Sequence, residues 1–245
     1  MRVCVLGATG NSGRRIVSAA LARGHEVTAL VRSANAITPA INLAVHAIDF
    51  ADAEALRSSM QSHDVIVNAA GYVADGPRFT ELVGRIINAA HEALGPGGRF
   101  WLFGGAALLD VPGSRFTGID LPGVPRMYEA HRANYNAVKL TDLDWSMLCP
   151  GPMIEAPDGK ATPDLVLSAD IWPVPRPAAT RVLPRLATSL AFKQMMPRLT
   201  ISYEDAAKII LDHLERNGRF ARRRVGVALP NGERRHKPAS TSLAS

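Results

Sequence analysis

Strand-like and helix-like segments alternate from Val3 to Gly151, and that alternation leaves the chain few architectures. Val3 to Gly7 is a short β-branched run, and Ser12 to Ala22 carries Ile16, Val17, Ala20 and Leu21 at helical spacing. After Gly24, "HEVTALVR" predicts a second strand and "LAVHAIDF" a third; "DAEALRSSM" follows as a short helix and "DVIVNAAG" as a fourth strand. "RFTELVGRIINAAHEAL" predicts a helix closed by Gly95-Pro96-Gly97-Gly98, and "RFWLFGGA" a fifth strand. Arg126 to Leu140 reads as helix and "LDWSMLCPG" as a sixth strand. Short apolar strands separated by amphipathic helices predict an α/β fold. The expected form is Rossmann-type and doubly wound, a mostly parallel sheet with helices on both faces.

The rhythm breaks from Pro152 to Leu199, a proline-rich stretch with two apolar pieces of helical appearance, "TPDLVLSADIW" and "ATRVLPRLATSLAFKQMM". Residues 152–199 are expected to form a small helical substrate lobe or lid, inserted in a single domain spanning residues 1–232. Tyr203 to Asn217 predicts an amphipathic helix, opened by Ser202 with Asp205 three residues on. "RRRVGVALP" predicts a late edge strand, and residues 233–245 a loose polar tail.

Composition removes several classes. No apolar run reaches the roughly 18 to 20 residues of a membrane span, and the N-terminus lacks the n-region and h-region of a secretory signal. Cys4 and Cys149 each sit in an apolar strand-like run, which argues against a disulfide framework or a zinc site and for a reducing cytoplasm. The net charge of +6 gathers near the C-terminus, in Arg219, Arg222, Arg223, Arg224, Arg234, Arg235 and Lys237. No helix-turn-helix or aromatic-interleaved basic module accompanies it, which argues against a nucleic-acid partner. A small-molecule substrate is the expected partner, and monomer and homodimer are both compatible with the sequence.

The residues Gly7-Ala-Thr9-Gly10-Asn11-Ser12-Gly13 follow the first predicted strand and open the first predicted helix. That is the context a dinucleotide-binding turn requires. Gly7 permits the tight turn, Gly10 lets backbone approach a pyrophosphate, and Gly13 lets helix and strand pack closely. The free N–H groups and the positive dipole end of the helix then face the phosphates. An acid about 20 residues further on would select NAD. The end of the second strand carries Arg32 instead, whose guanidinium suits a 2′-phosphate, or is simply a surface arginine. Arg14 and Arg15 either assist or face solvent.

The glycine spacing is GxxGxxG. Together with "RGHEVTALVR", "AIDFAD", "NAAG", "FGGAALLDVPG", "LDWSMLCPGPM" and "ISYEDAAKIILDHLE" it resembles the atypical short-chain dehydrogenases/reductases of the NAD(P)H-binding, NmrA-like and biliverdin-reductase-B-like kind. The resemblance implies an NADP cofactor, with NADPH preferred over NADH. It further implies that Asp49 and Phe50, at the end of the third strand, lie near the adenine; Asp49 is equally suited to capping the next helix. Asn68-Ala69-Ala70-Gly71 is expected beside the ribose. Gly104 and the segment Pro150-Gly151-Pro152-Met153 are expected at the nicotinamide, with backbone bonding the carboxamide and Met153 packing on the ring.

The wider superfamily uses a Ser or Thr hydroxyl, a Tyr and a Lys. Here the hydroxyl position reads Gly104-Gly105-Ala106-Ala107, a departure that questions the usual triad. A YxxxK string occurs at Tyr135-Lys139 and a YxxxR string at Tyr128-Arg132. Ligands bind at the carboxyl ends of strands in an open α/β sheet. The helix start therefore places Tyr128 and Arg132, not Tyr135, in the catalytic slot, against the alternative that either tyrosine is packing. The expected function is an NADP(H)-dependent oxidoreductase passing hydride to a small carbonyl, quinone, flavin or enone acceptor. The rival is a redox sensor that binds NADP(H) without turnover.

Overall fold

Val3, Cys4, Val5 and Leu6 are all fully buried, so the strand that holds them must be covered on both faces. In the computed structural model, which describes residues 1–33, 36–175 and 185–236, this strand is β1 (Arg2–Leu6) at the middle of an eight-stranded sheet. The other members are β2 (Glu26–Val31), β3 (Leu43–Ala47), β4 (Val65–Asn68), β5 (Arg99–Phe103), β6 (Asp144–Cys149), β8 (Val166–Ala169) and β10 (Arg223–Ala228). They run in the order β3-β2-β1-β4-β5-β6-β10-β8, all parallel except β8, which is antiparallel to β10.

Alternate side chains divide the core into two layers, as the two-residue strand period demands. Val3, Val5, Val27, Ala29, Val65 and Val67 face α1 (Asn11–Ala22) and α6 (Tyr203–Leu211). Cys4, Leu6, Ile66, Phe100, Leu102 and Met147 face α2 (Ala53–Met60), α3 (Pro77–Leu94) and α4 (Glu129–Lys139). The chain thus winds both ways from β1, and the order reverses between β1 and β4. That reversal is where open α/β sheets bind ligands, outside the carboxyl ends of the strands.

The region after β6 differs from the sequence expectation. "TPDLVLSADIW" is not helical; its centre is β8, which extends the main sheet as an edge strand and leaves β10 internal. The leucines and valine that suggested a helix serve a half-buried strand instead. A second two-stranded sheet joins β7 (Met153–Ile154) to β9 (Ile201–Ser202). Between them lies α5 (Leu186–Leu199), while residues 179–184 of the second expected piece fall outside the described residues. Ser202 and Asp205 form a full capping box at α6, which ends at Leu211 rather than Asn217. Arg235 bonds Asp205 and the Thr162 hydroxyl, each at 2.8 Å, so the chain is still anchored at that point. No helix among the described residues is long and apolar enough to cross a membrane.

Candidate functional site

The glycine turn is built by close backbone approach. Gly7 has φ +71°, and a Cβ there would lie 2.6 Å from Ala69 C, Ala69 O and Ala70 N, on the strand across the switch point. A Cβ on Gly13 would lie 2.0 Å from the Gly7 carbonyl oxygen. Gly10 is different: its N–H donates to Gly7 O at 2.9 Å, and a Cβ would meet only that oxygen, at 3.3 Å. Gly10 is the N-cap of α1, no side chain caps the helix, and its first turn holds no acid. Thr9, Gly10 and Asn11 are exposed and Ser12 is half-buried. Free amides and a positive dipole end therefore face open space at the switch point, the arrangement that suits a pyrophosphate.

Arg32 directly follows β2, is exposed, and has no ion-pair partner among the described residues. Its free guanidinium could take a phosphate bidentately. The third strand stops at Ala47, so Asp49 and Phe50 lie beyond its end instead of finishing it. Asp49 is exposed and its Oδ1 accepts from Ala51 N at 2.9 Å; Asp52, not Asp49, caps α2. Phe50 is buried in the core on the α2–α3 side.

Across the switch point, Asn68 is buried and its Oδ1 accepts from Ala70 N at 2.9 Å, while Ala69 N donates to Leu6 O. Gly71 packs on Phe79, whose ring a Cβ would approach to 2.6 Å. Gly104 donates to Leu148 O and is enclosed by the sulfurs of Met147 and Cys149. The Gly151 N–H is taken by Leu199 O, the Pro150 carbonyl by Ala106 N and the Pro152 carbonyl by Ile201 N. Met153 pairs with Ile201 and packs toward the α1–α6 core. Three of this segment's backbone polar groups are thus already committed within the fold.

The two tyrosines occupy different levels of the sheet. Tyr128 ends a 3-10 turn (Arg126–Tyr128) just before α4, half-buried, with its ring stacked on His131 at 6.2 Å and 13°. Tyr135 is lower: its ring meets Trp145 edge-on at 5.8 Å and the Arg224 guanidinium at 4.9 Å, with Lys139 Nζ 5.4 Å from its centroid. Arg224 pairs with Met147 in register, two residues short of the end of β6, so Tyr135 sits beneath the strands' carboxyl ends. Burial raises the Tyr135 phenol above its usual range. Arg132 turns to the loop before α4, bonding Asp120 Oδ1 at 2.6 Å and Thr117 Oγ1 at 3.2 Å. Burial works to raise the Asp120 carboxyl, but the Thr117 N–H and the Arg132 guanidinium win and hold it below the carboxylate range.

Comparison with known proteins decides the family. Residues 7–169 match the family described as NAD(P)H-binding. A Bacillus subtilis protein, YwnB, is 30% identical over 169 residues, covering 66% of this chain and 76% of that protein. The chain belongs to the NAD(P)H-binding family. Among solved structures, a Burkholderia pseudomallei protein classed as exported is 27% identical with a TM-score of 0.69, over 93% of this chain and 99% of that one. A Streptococcus pneumoniae protein assigned as an NADH-flavin reductase is 24% identical with a TM-score of 0.71, over 94% and 100%. Membership of the NAD(P)H-binding family and a doubly wound, mostly parallel sheet both agree with the reading of the sequence.

Within this NAD(P)H-binding fold, two groups at the site escape motif reading. His131 packs beside Tyr128 and against Phe79, ring centroids 5.5 Å apart and edge-on. The signal was present: position 131 is three residues after Tyr128, on one helix face. Arg14 and Arg15 both pair with Glu155, and Arg15 also with Glu204 at 2.9 Å, so neither is a free cation beside the glycine turn. Their partners lie 140 or more residues along the chain, which no local pattern reveals.

Proposed function

We propose that this protein is an NADP(H)-dependent oxidoreductase that passes hydride to a small, planar, carbonyl-bearing acceptor of the quinone, flavin or enone class. One observation carries the reading: an uncapped, acid-free helix start at the switch point, with the unpaired Arg32 guanidinium on the neighbouring strand end. The amides of Thr9, Asn11, Ser12 and Gly13, with Gly10 leaving room for close approach, would hold the pyrophosphate and Arg32 the 2′-phosphate. Asp49 would accept from the adenine end, Asn68 to Gly71 would line the ribose, and Gly104 with Pro150 to Met153 would border the nicotinamide. When bound, the dinucleotide supplies the hydride. Tyr128, at the helix end nearest the strands' carboxyl termini, is the residue of this chain best placed to deliver a proton. Arg132 would act at one remove, by fixing the 117–120 loop through Asp120. The Streptococcus pneumoniae relative's assignment supports a flavin among the acceptors.

A second reading, a redox sensor without turnover, draws support from Gly104-Gly105-Ala106-Ala107, where the hydroxyl of the wider superfamily has no counterpart. Titrating the protein with NADPH and NADH, then following NADPH oxidation against menadione, FMN and cyclohexenone, separates the two. At least tenfold tighter NADPH binding, worth about 1.4 kcal/mol, with oxidation by one acceptor supports the enzyme. Binding with no oxidation by any of them favours the sensor, and equal affinities remove the role given to Arg32.

A further inference from the structure

His131 lies on the inward face of α4 with Asn134 and Val138, and is 92% buried, its relative exposure being 8%. Tyr128 covers one face of the imidazole and Phe79 approaches it edge-on. The Cδ2–Nε2 edge lies over Gly105: a Cβ there would sit 3.3 Å from Cδ2 and 3.5 Å from Nε2. Nδ1 is enclosed and has no hydrogen-bond partner among the described residues, so Nε2, on the Gly105 edge and not so enclosed, is the ring nitrogen that a ligand can meet.

The location supplies a use for it. Gly105 is the second residue past β5, at the carboxyl end of the sheet, beside the place where the wider superfamily carries its hydroxyl. A side chain at 105 would crowd the ring, so the absent hydroxyl and the approach of His131 are two sides of one arrangement. We propose that His131 is an acceptor-binding residue whose Nε2–H, on the Gly105 edge of the ring, donates a hydrogen bond to the carbonyl oxygen of the molecule to be reduced. The inference rests on the oxidoreductase reading and narrows it, since a neutral donor in a dry, ring-walled position suits a neutral carbonyl oxygen and gives no charge to a carboxylate. Burial lowers the His131 pKa to about 4, so the ring is neutral near pH 7 and orients the acceptor without acting as its acid. The proton still comes from Tyr128 or water.

The test uses the full chain loaded with NADP⁺, and menadione as the probe. Side-chain ¹⁵N spectra of His131 should show one neutral tautomer whose N–H signal moves when menadione is added. His131→Leu should weaken menadione binding about tenfold, while His131→Gln, which keeps a terminal N–H, should recover most of that; NADP⁺ affinity should change less than twofold in both. Unmoved His131 signals with menadione demonstrably bound, or equal menadione affinity in a folded His131→Leu, would overturn the assignment. If the wild type binds menadione through His131 yet never oxidises NADPH, the oxidoreductase reading fails and this site remains. If it turns over and His131→Leu keeps the wild-type KM and kcat, the reading remains and this inference fails. Should the wild type bind no carbonyl probe at all, both fail.

Discussion

The three motif glycines should respond differently to a single added methyl group. At Gly7 the new Cβ would stand 2.6 Å from three backbone atoms of Ala69 and Ala70, which belong to the neighbouring strand's exit and cannot rotate aside. An ordinary contact is near 3.5 Å, so β1 and β4 would have to part at the switch point, and the positive φ adds about 1 kcal/mol of its own. Overpacking of this kind costs ~1–3 kcal/mol, giving a combined loss of about 3 kcal/mol for Gly7→Ala. In a chain of this size that corresponds to a fall in Tm of roughly 6–12 °C. Gly10→Ala meets a single oxygen at 3.3 Å, on a backbone of φ −74° that any residue adopts. It should cost about 0.5–1 kcal/mol in stability, since alanine is a poorer N-cap than glycine, while blocking the approach of a pyrophosphate. Thermal unfolding with and without NADPH reads both effects. Gly7→Ala should melt early in either condition; Gly10→Ala should melt within about 4 °C of the wild type when empty and lose the shift that NADPH gives. A Gly10→Ala variant that keeps the full NADPH shift would refute the assignment of this turn to phosphate.

Other perturbations separate roles that share a motif. Tyr128→Phe should lower turnover by about 10²-fold, the lower range for a lost general acid, whereas Tyr135→Phe should stay within a few-fold because its ring is packed between Trp145 and Arg224; steady-state kinetics on both decides. Asp144→Ala should destabilise by about 3–5 kcal/mol in denaturant titration, since it strands the buried Arg99 guanidinium, which also bonds His213 O, and strips a partner from Asn217 N. His131, with a folded pKa of about 4 against 6.5 unfolded, stays neutral in the fold while the unfolded chain takes up its proton. Its contribution is complete above pH 6.5 and is lost as the pH falls toward 4, by about 3 kcal/mol. His131→Leu should therefore unfold less steeply with acid over that window, and an unchanged pH profile would contradict the burial.

The parallel half of the fold is legible because its strands are short apolar runs punctuated by glycine, and buried on both faces they admit little else. Gly7 and Gly13 are legible because a side chain at either would collide with backbone; Gly10 is legible only through its spacing from them. β8 was not legible, since four apolar-leaning residues pairing antiparallel with a strand more than 50 positions later leave no local trace. Within the site, Tyr128 could be told from Tyr135 by helix geometry alone. The turning of Arg132 toward Asp120, and the committed backbone of Pro150 to Pro152, depend on contacts that spacing does not encode.

The pairing of Arg14 and Arg15 with Glu155 and Glu204 bears on how ionic strength should act on binding. Those carboxylates neutralise the guanidinium charge nearest the glycine turn, so a pyrophosphate bound there as proposed would meet fixed amide dipoles rather than mobile cations. Arg32 is exposed and has no ion-pair partner among the described residues, and a screening length of about 8 Å at physiological salt reaches it freely. NADH affinity should then be nearly flat between low and high potassium chloride, while the NADPH advantage shrinks as salt rises. On the proposed role of Arg32, discrimination between the two nicotinamides would be a property of the solution as much as of the fold.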